Sequence, residues 1–188
     1  MRRRNAHIPV RKPVFLGCEG ESEQAYGQFL NDIVRQKELP FHIEVVNLNP
    51  GAGDPLARVK KAVQEIARRN QRRAEFQYRA LLMDDDQIAG DHQRRQQVHA
   101  LAAQNKISII WQTPCHEAFL LRHFEGRLTA NPPDSATSQA NLLQVWPGYA
   151  KPMSRLEVSR RIDLEGVERV SGNHQEFAAL LRFLRLIP

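Results

Sequence analysis

The sequence predicts an α/β fold: a three-layer core with a four-stranded, mainly parallel sheet, followed by a largely helical extension. Short apolar runs alternate with stretches of a dozen or more residues whose apolar side chains recur at helical spacing. Such alternation is typical of parallel strands joined by right-handed helical crossovers. With 188 residues, of which 41% are hydrophobic, the chain is suited to one domain with a buried core.

The first part of the chain predicts a strand, a helix and a second strand. Residues 14–18 are a short apolar run, typical of a buried strand, and residues 43–48 are rich in β-branched side chains. Between them, residues 21–36 have the apolar spacing of a helix. One face of that helix would carry Tyr26, Phe29, Leu30, Ile33 and Val34.

The middle of the chain repeats the pattern. Asp54 and Pro55 are typical of a helix N-cap followed by proline at the first helical position. The predicted helix carries an apolar stripe formed by Leu56, Val59, Val63 and Ile66. The elements predicted after it are a strand over 79–83, a helix over 91–104, a strand over 107–111 and a helix that Thr113 and Pro114 open, reaching residue 124.

Beyond residue 125 the alternation fades. Residues 131–139 are rich in turn formers and predict a linker or surface loop. A short apolar run over 142–146 and a closing helix over about 174–186 follow. We therefore predict a basic N-terminal segment (1–12), an α/β core (13–128) and a C-terminal extension packed on the core (129–188).

Acidic residues follow three of the predicted strands. Glu19 comes directly after the first strand, within the stretch CEGESE, Asp84 and Asp86 follow the third, and Glu117 lies beyond the fourth. In a sheet of order 2-1-3-4 these carboxyl ends share one edge, where ligands of open α/β sheets bind. Converging carboxylates repel each other unless a cation neutralises them, and oxygen ligands favour Mg²⁺ or Mn²⁺. The alternative, solvated acids at the starts of loops, fits each cluster taken singly.

The arginines predict a polyanionic partner. The net charge is +6 and the isoelectric point about 9.7, with arginine far more frequent than lysine. Guanidinium groups match the geometry of phosphate, so clustered arginines favour nucleic acid. Apart from the basic start, the clusters are Arg68, Arg69, Arg72 and Arg73, and then Arg94 and Arg95. Each cluster taken alone also fits a solvated helix face.

Other features narrow the class of protein. Cys18 and Cys115 lack CxxC spacing, and the basic start lacks the apolar segment of a secretory signal, so we expect a cytoplasmic protein without a membrane span. No phosphate-binding loop and no GxSxG motif occurs. His116, Glu117 and His123 only approximate the zinc motif HExxH, because position 120 is Leu. These histidines, and His174, are expected at the surface or in hydrogen bonds.

Four stretches together resemble a known family. Residues 19–23 (EGESE) match the EGxSE opening of Toprim domains of the OLD-nuclease and RloB-like type, and Asp84 to Asp86 resemble the DxD after their third strand. Residues 113–124 (TPCHEAFLLRHF) are similar to the RloB-like stretch NPCFExWLLLHF, and residues 148–151 resemble a later YxK element. His116 replaces an aromatic residue of that pattern and Arg122 an apolar one.

The resemblance implies a Toprim core, dependence on Mg²⁺ or Mn²⁺, and cleavage or rejoining of phosphodiester bonds. It implies metal ligands at Glu19, Glu23, Asp84, Asp86 and Glu117. Glu19 would also be the acid or base, Glu117 would complete a second metal position, and Lys151 would steady phosphate charge. RloB-like proteins are associated with bacterial restriction and phage-defence loci, which implies a partner protein from the same locus.

We therefore predict a metal-dependent nuclease acting on DNA or RNA, tRNA included. No tyrosine stands out as a strand-transfer nucleophile, which favours hydrolysis over rejoining. Two alternatives remain. One is a non-catalytic module that binds nucleic acid or a partner protein, and the other is a magnesium-dependent phosphohydrolase acting on nucleotides.

Overall fold

The sheet has four parallel strands in the order β2-β1-β3-β4. The computed structural model describes residues 11–49, 54–72 and 74–188. Within them the strands are β1 (Lys12–Cys18), β2 (Phe41–Asn47), β3 (Tyr78–Asp84) and β4 (Ser108–Gln112). The predicted α/β class and the predicted strand order are both confirmed.

Helices follow each strand, and further helices complete the chain. Those of the α/β core are α1 (Glu21–Gln36), α2 (Pro55–Asn70), α3 (His92–Gln104) and α4 (His116–Leu121). The C-terminal region contains α5 (Ser135–Val145), α6 (Arg155–Arg161), α7 (Leu164–Ser171) and α8 (Gln175–Phe183). The predicted helical character of this region is confirmed.

Side chains of β1 alternate between two hydrophobic clusters, one on each face of the sheet. Val14 and Leu16 belong to a cluster with α1 and the C-terminal helices, whereas Phe15 belongs to a cluster with α2 and α3. Because both faces are covered, the central strands β1 and β3 are buried on both sides over most of their length, as in other parallel sheets. The result is the predicted three-layer arrangement.

The register of the sheet brings the ends of three strands together. Cys18 pairs with Leu82, so Glu19 follows at the level where β3 ends in Asp84. Asp84 in turn pairs with Gln112, the last residue of β4. The switch in strand order lies at β1, which is flanked by β2 and β3, and the residues beyond these carboxyl ends form one edge.

Gly27 lets α1 lie close to the sheet. A Cβ atom added at this position would lie 2.9 Å from both Leu16 Cδ2 and Val45 Cγ1, well inside ordinary van der Waals distance. Glycine is therefore favoured here by the close contact rather than by backbone conformation. The close approach places the first turn of α1 beside the carboxyl ends of β1 and β3.

Three differences from the sequence prediction lie in the region after β4. The predicted linker 131–139 contains the start of α5, which Asp134 caps by accepting a hydrogen bond from the Thr137 N–H. Helices α6 and α7 were not predicted. They begin after Ser154 and Asp163, which cap them in the same way. The helix expected to open at Thr113 and Pro114 and reach residue 124 instead has Cys115 as its N-cap and ends at Leu121.

In the ranges 11–49, 54–72 and 74–188, none of the helices combines the length and the apolar character needed to cross a membrane.

Candidate active site

Five carboxylates, here called the acid cluster, meet at the carboxyl edge of the sheet. Its members are Glu19, Glu23, Asp84, Asp86 and Glu117. The negative charges of the other four all act on Asp84, so each of them lies within electrostatic reach of this residue. They line or border a cleft of about 430 Å³ whose wall includes Glu19, Glu23, Asp84 and Lys151.

Glu19 links three elements of the fold. Its Oε2 accepts a hydrogen bond from the Asp84 N–H at 2.9 Å, and its Oε1 lies 2.8 Å from the Arg58 guanidinium on α2. The side chain is 12% exposed. Burial raises the pKa of Glu19, against the opposing effects of the Asp84 N–H and the Arg58 charge. Glu19 is thereby fixed between the ends of β1 and β3.

Asp84 is the least satisfied member of the acid cluster. Its Oδ1 is buried and has no hydrogen-bond partner among the described residues. Burial, followed by the charges of Glu23 and Glu19, raises the pKa of Asp84 to about 9. A buried oxygen without a donor is costly unless a proton or a cation satisfies it. This atom is therefore suited to hold a metal ion.

Glu23 and Glu117 enter the acid cluster from helices. Glu23 lies in the first turn of α1, is buried, and accepts a hydrogen bond from the Gly20 N–H at 3.0 Å. Glu117, 2% exposed, lies in the first turn of α4 and pairs with Lys151. It also accepts a hydrogen bond from the Tyr149 hydroxyl at 3.0 Å. Burial acts to raise the pKa of Glu117, but Lys151 outweighs it and holds the pKa below its ordinary value.

The two aspartates after Asp84 point to different partners. Asp86 is exposed, and its Oδ2 accepts a hydrogen bond from the Ser135 hydroxyl at 3.0 Å. Asp85 pairs with Arg95 and accepts a hydrogen bond from the Thr113 hydroxyl at 3.1 Å. Asp85 is thus engaged by α3 and the loop after β4, whereas its neighbours belong to the acid cluster.

The chemistry of the acid cluster fits a hard divalent cation. The donors are all carboxylate oxygens, the set that Mg²⁺ and Mn²⁺ prefer, and Asp84 offers a buried oxygen without a partner. Among the described residues, however, no three His, Cys, Asp or Glu side chains are arranged to hold a metal ion as they stand. The reason lies in the contacts above, because Glu19, Glu23, Asp86 and Glu117 each accept from a protein donor.

Buried polar side chains lie next to the acid cluster. His116 is fully buried, lies 2.7 Å from Gln112 through Nδ1, and approaches Glu23 to 4.0 Å. His123 contacts the Tyr26 hydroxyl at 2.8 Å. Both histidines are interior residues rather than surface ones, since the helix α4 and the turn after it carry them under the sheet edge.

The predicted nucleic-acid-binding arginines fall into two places. Arg94 and Arg95 lie in the first turn of α3, at the same edge as the acid cluster, and pair with Asp54 and Asp85 respectively. Arg95 also lies 5.0 Å from the centre of the Trp111 ring. Arg95 therefore lies next to the aspartates that follow β3, and Arg94 lies beside the N-cap of α2.

The second group lies at the other end of α2. Arg68 pairs with Glu65, and Arg69 with both Glu65 and Glu44. Arg72 is exposed in the turn that follows, and Arg73 lies outside the described residues. At 1.5 Å per residue, Arg69 is roughly 16 Å along the helix from Arg58. This group therefore lies toward the amino edge of the sheet, away from the acids.

Two residues of the site were missed by the sequence reasoning. Arg58 occupies a buried position of α2 with Pro55, Val59, Ala62 and Ile66. An arginine on the apolar face of an amphipathic helix is the signal that could have identified it. Tyr149 was considered only as part of the YxK element, yet its hydroxyl contacts Glu117 directly.

A family match covers most of the chain. The family described as RloB-like protein matches residues 14–165, a range that holds most of β1, all of β2 to β4, the acid cluster and Lys151. No curated protein and no solved structure matches the chain. Because the family match extends well beyond half of the sequence, the chain belongs to the RloB-like protein family.

Proposed function

We propose that the protein is a nuclease of the Toprim type that depends on Mg²⁺ or Mn²⁺ and hydrolyses phosphodiester bonds of DNA or RNA. The observation that carries the proposal is the buried Oδ1 of Asp84, which has no donor within the described part of the chain and on which the charges of four other carboxylates act. A site that holds so much negative charge around an unsatisfied oxygen is suited to a divalent cation.

The acid cluster would hold the ion. Asp84 and Asp86 would supply the principal ligands, Glu19 and Glu23 would be further ligands, and Glu117 would complete a second metal position. A bound divalent ion polarises the phosphate and makes water acidic enough to attack it at neutral pH.

The remaining chemistry belongs to the side chains. A carboxylate oxygen of Glu19 accepts the proton that the attacking water gives up. Lys151, whose side chain is 52% exposed, reaches the cleft from the C-terminal region and is held there by Glu117. Its ammonium group offsets the charge of the phosphate oxygens as the bond to the leaving oxygen breaks.

The proposed substrate and biological setting rest on the net charge of the chain and on its family. The net charge of +6 favours a polyanion, and Arg94 and Arg95 lie in the first turn of α3, at the same edge of the sheet as the acid cluster. We propose bacterial phage defence as the setting, in the cytoplasm and together with a partner protein encoded at the same locus.

One observation favours a second function. Glu19, Glu23, Asp86 and Glu117 already accept hydrogen bonds or ion pairs from the protein itself. A catalytically silent module that binds nucleic acid or a partner protein would need no ion to hold these acids. The two functions differ in whether nucleic acid is cut, which can be measured directly.

Cleavage assays separate these functions. Labelled DNA, RNA and tRNA are incubated with the protein in Mg²⁺, in Mn²⁺ and in chelator. We expect cuts that require the metal and are lost in Asp84→Asn. The control is Asp91→Asn, which alters an exposed acid of the α3 cap and should cut at the wild-type rate. Binding without cuts would establish the silent module, and phosphate released from nucleotides alone would establish a phosphohydrolase.

A further inference from the structure

Arg58 is a buried cation inside the candidate site. It lies on α2 at the wall of the cleft that Asp84 and Lys151 also line, and its side chain is 10% exposed. Its guanidinium lies 2.8 Å from Glu19 Oε1 and donates to Gln87 Oε1 at 3.3 Å. The ion-pair partner of this arginine is therefore the carboxylate that follows β1.

The cleft contains two such pairs. Arg58 pairs with Glu19 on the α2 side, and Lys151 pairs with Glu117 on the side of the C-terminal region. Each cation thus occupies a carboxylate oxygen that a metal ion would need. A divalent ion and a guanidinium repel each other, and they would compete for Glu19 Oε1, because Oε2 already accepts from the Asp84 N–H.

We propose that Arg58 is an exchangeable counter-ion that neutralises Glu19 in the metal-free protein and contacts the substrate phosphate once a divalent ion occupies Glu19. This inference rests on the proposed function and adds a role for Arg58, to which that function assigns none. The guanidinium fork is suited to two phosphate oxygens at once, and Lys151 would contact the phosphate from the opposite wall.

A different role for Arg58 predicts the opposite result. If the arginine only fixed the Glu19 carboxylate in a geometry suited to the ion, removing it would weaken metal binding. If it is a counter-ion that the metal displaces, removing it strengthens metal binding. An opposite charge at contact distance changes the cation affinity of a carboxylate by about tenfold or more.

Calorimetric titration with Mn²⁺ measures that sign. We expect Arg58→Gln to bind Mn²⁺ about tenfold more tightly than the wild type, and Arg58→Lys, which keeps the charge, to bind it like the wild type. The control is Arg79→Gln, which breaks an ion pair with Glu75 outside the cleft and should leave the Mn²⁺ affinity unchanged. Equal or weaker Mn²⁺ binding by Arg58→Gln overturns the proposal.

Phosphate contact is measured on the same variants with a labelled phosphorothioate DNA hexanucleotide and fluorescence anisotropy. In saturating Mn²⁺ we expect both Arg58→Gln and Arg58→Lys to bind it roughly tenfold more weakly, because a charge-assisted fork is lost. Tighter metal binding with weaker oligonucleotide binding is a combination that a purely structural role does not produce. Unchanged oligonucleotide affinity overturns the proposal.

The outcomes distinguish this inference from the proposed function. If the wild type binds no Mn²⁺, both are wrong. If it binds Mn²⁺ and the variants behave as expected but no nucleic acid is cut, the nuclease is wrong and the exchange stands. Circular dichroism in chelator checks the fold of Arg58→Gln. If that variant does not fold, Arg58→Lys decides, since wild-type oligonucleotide affinity in that variant overturns the phosphate contact.

Discussion

Asp84 and Asp85 are adjacent in sequence but have different surroundings. Asp84 lies in the acid cluster with a buried, unpartnered oxygen, whereas Asp85 is held by Arg95 and Thr113. Successive side chains at a strand end point to opposite sides, so one residue of the pair is available to an ion and the other is not.

This difference gives a ranking of activity. We expect Asp84→Asn and Glu19→Gln each to lower the cleavage rate on the order of a hundredfold or more, because the ion and the attacking water are misplaced. Asp85→Asn should lower it much less. Single-turnover rates on one nucleic-acid substrate measure the ranking. Equal losses at Asp84 and Asp85 would contradict the assignment of the acid cluster.

His123 makes the stability depend on pH. Its side chain is 3% exposed, and burial lowers its pKa to about 3, whereas the unfolded residue titrates near 6.5. Between these values the unfolded state binds one proton more than the native state, so stability falls as the pH drops below about 6.5.

The size of this effect follows from the linkage. From pH 6.5 to pH 5 the loss attributable to His123 is roughly 2 kcal/mol. Urea unfolding at several pH values should show a flatter slope over this range in His123→Gln. The exposed His92 is the control, since His92→Gln should keep the wild-type slope. A wild-type slope in His123→Gln would show that groups other than His123 govern the loss of stability at acidic pH.

At the scale of elements, the two arginine groups lie at opposite ends of their helices relative to the acids. Arg94 and Arg95 begin α3 at the carboxyl edge, whereas Arg68 and Arg69 end α2 toward the amino edge. A nucleic acid that contacts both groups would have to extend along the face covered by α2 and α3.

Salt dependence tests each group. Each phosphate contact that is lost should flatten the plot of log affinity against log salt by about 0.7 to 0.9. We expect Arg94→Gln with Arg95→Gln to flatten it, and likewise the joint change of Arg68, Arg69, Arg72 and Arg73 to Gln. Substitution by glutamine removes the positive charges of the arginines and places no new acids beside Glu44 and Glu65. An unchanged slope would show that this group contacts no phosphate and is only a solvated helix end.

The elements show how far sequence reasoning extends. The strands could be predicted from short runs of apolar and β-branched side chains, and α1 and α2 from their repeated apolar spacing, whereas α3 buries only Val98 and Ala102 and is marked chiefly by its cap, Asp91. Helices α6 and α7 have seven and eight residues, too few for a clear repeat, and only their caps Ser154 and Asp163 mark them.

The same contrast applies to the site. Strand order alone brings Glu19 and Asp84 together, because residues beyond neighbouring strand ends share an edge. Arg58 could not be placed without the packing of α2, since the sequence does not say which side of the helix faces Glu19. The pairing of Glu117 with Lys151 joins residues from distant segments, which no local pattern indicates.

At the scale of the whole molecule, an ion in the acid cluster would join elements from both halves of the chain. Its ligands come from the ends of β1 and β3 and from the first turns of α1 and α4. A ligand that binds only the folded state stabilises it by mass action. Metal binding should therefore raise the free energy of unfolding of the entire domain.

Thermal unfolding measures this effect. At ten times its dissociation constant, Mn²⁺ stabilises the native state by about 1.4 kcal/mol, which corresponds to roughly 2 to 4 °C for a domain of this size. We expect that shift in the wild type and almost none in Asp84→Asn. The control is Glu168→Gln, an exposed acid on α7, which should shift like the wild type. Equal shifts in all three proteins would place the ion elsewhere.

Gly27 sets how deep α1 lies on the sheet, and Glu23, one helical turn earlier, moves with it. Alanine is ordinarily the better helix former by about 1 kcal/mol, but here its methyl group would meet Leu16 and Val45 at 2.9 Å. The end of the Leu16 side chain can turn away, but the methyls of the β-branched Val45 are stiff, so α1 would move outward by a few tenths of an ångström, a shift for which the fold has tolerance. Ion coordination has far less, since ligand distances are fixed to about 0.2 Å. Gly27→Ala should therefore melt near the wild type in chelator and bind Mn²⁺ more weakly, so that a single methyl group separates folding from ion binding.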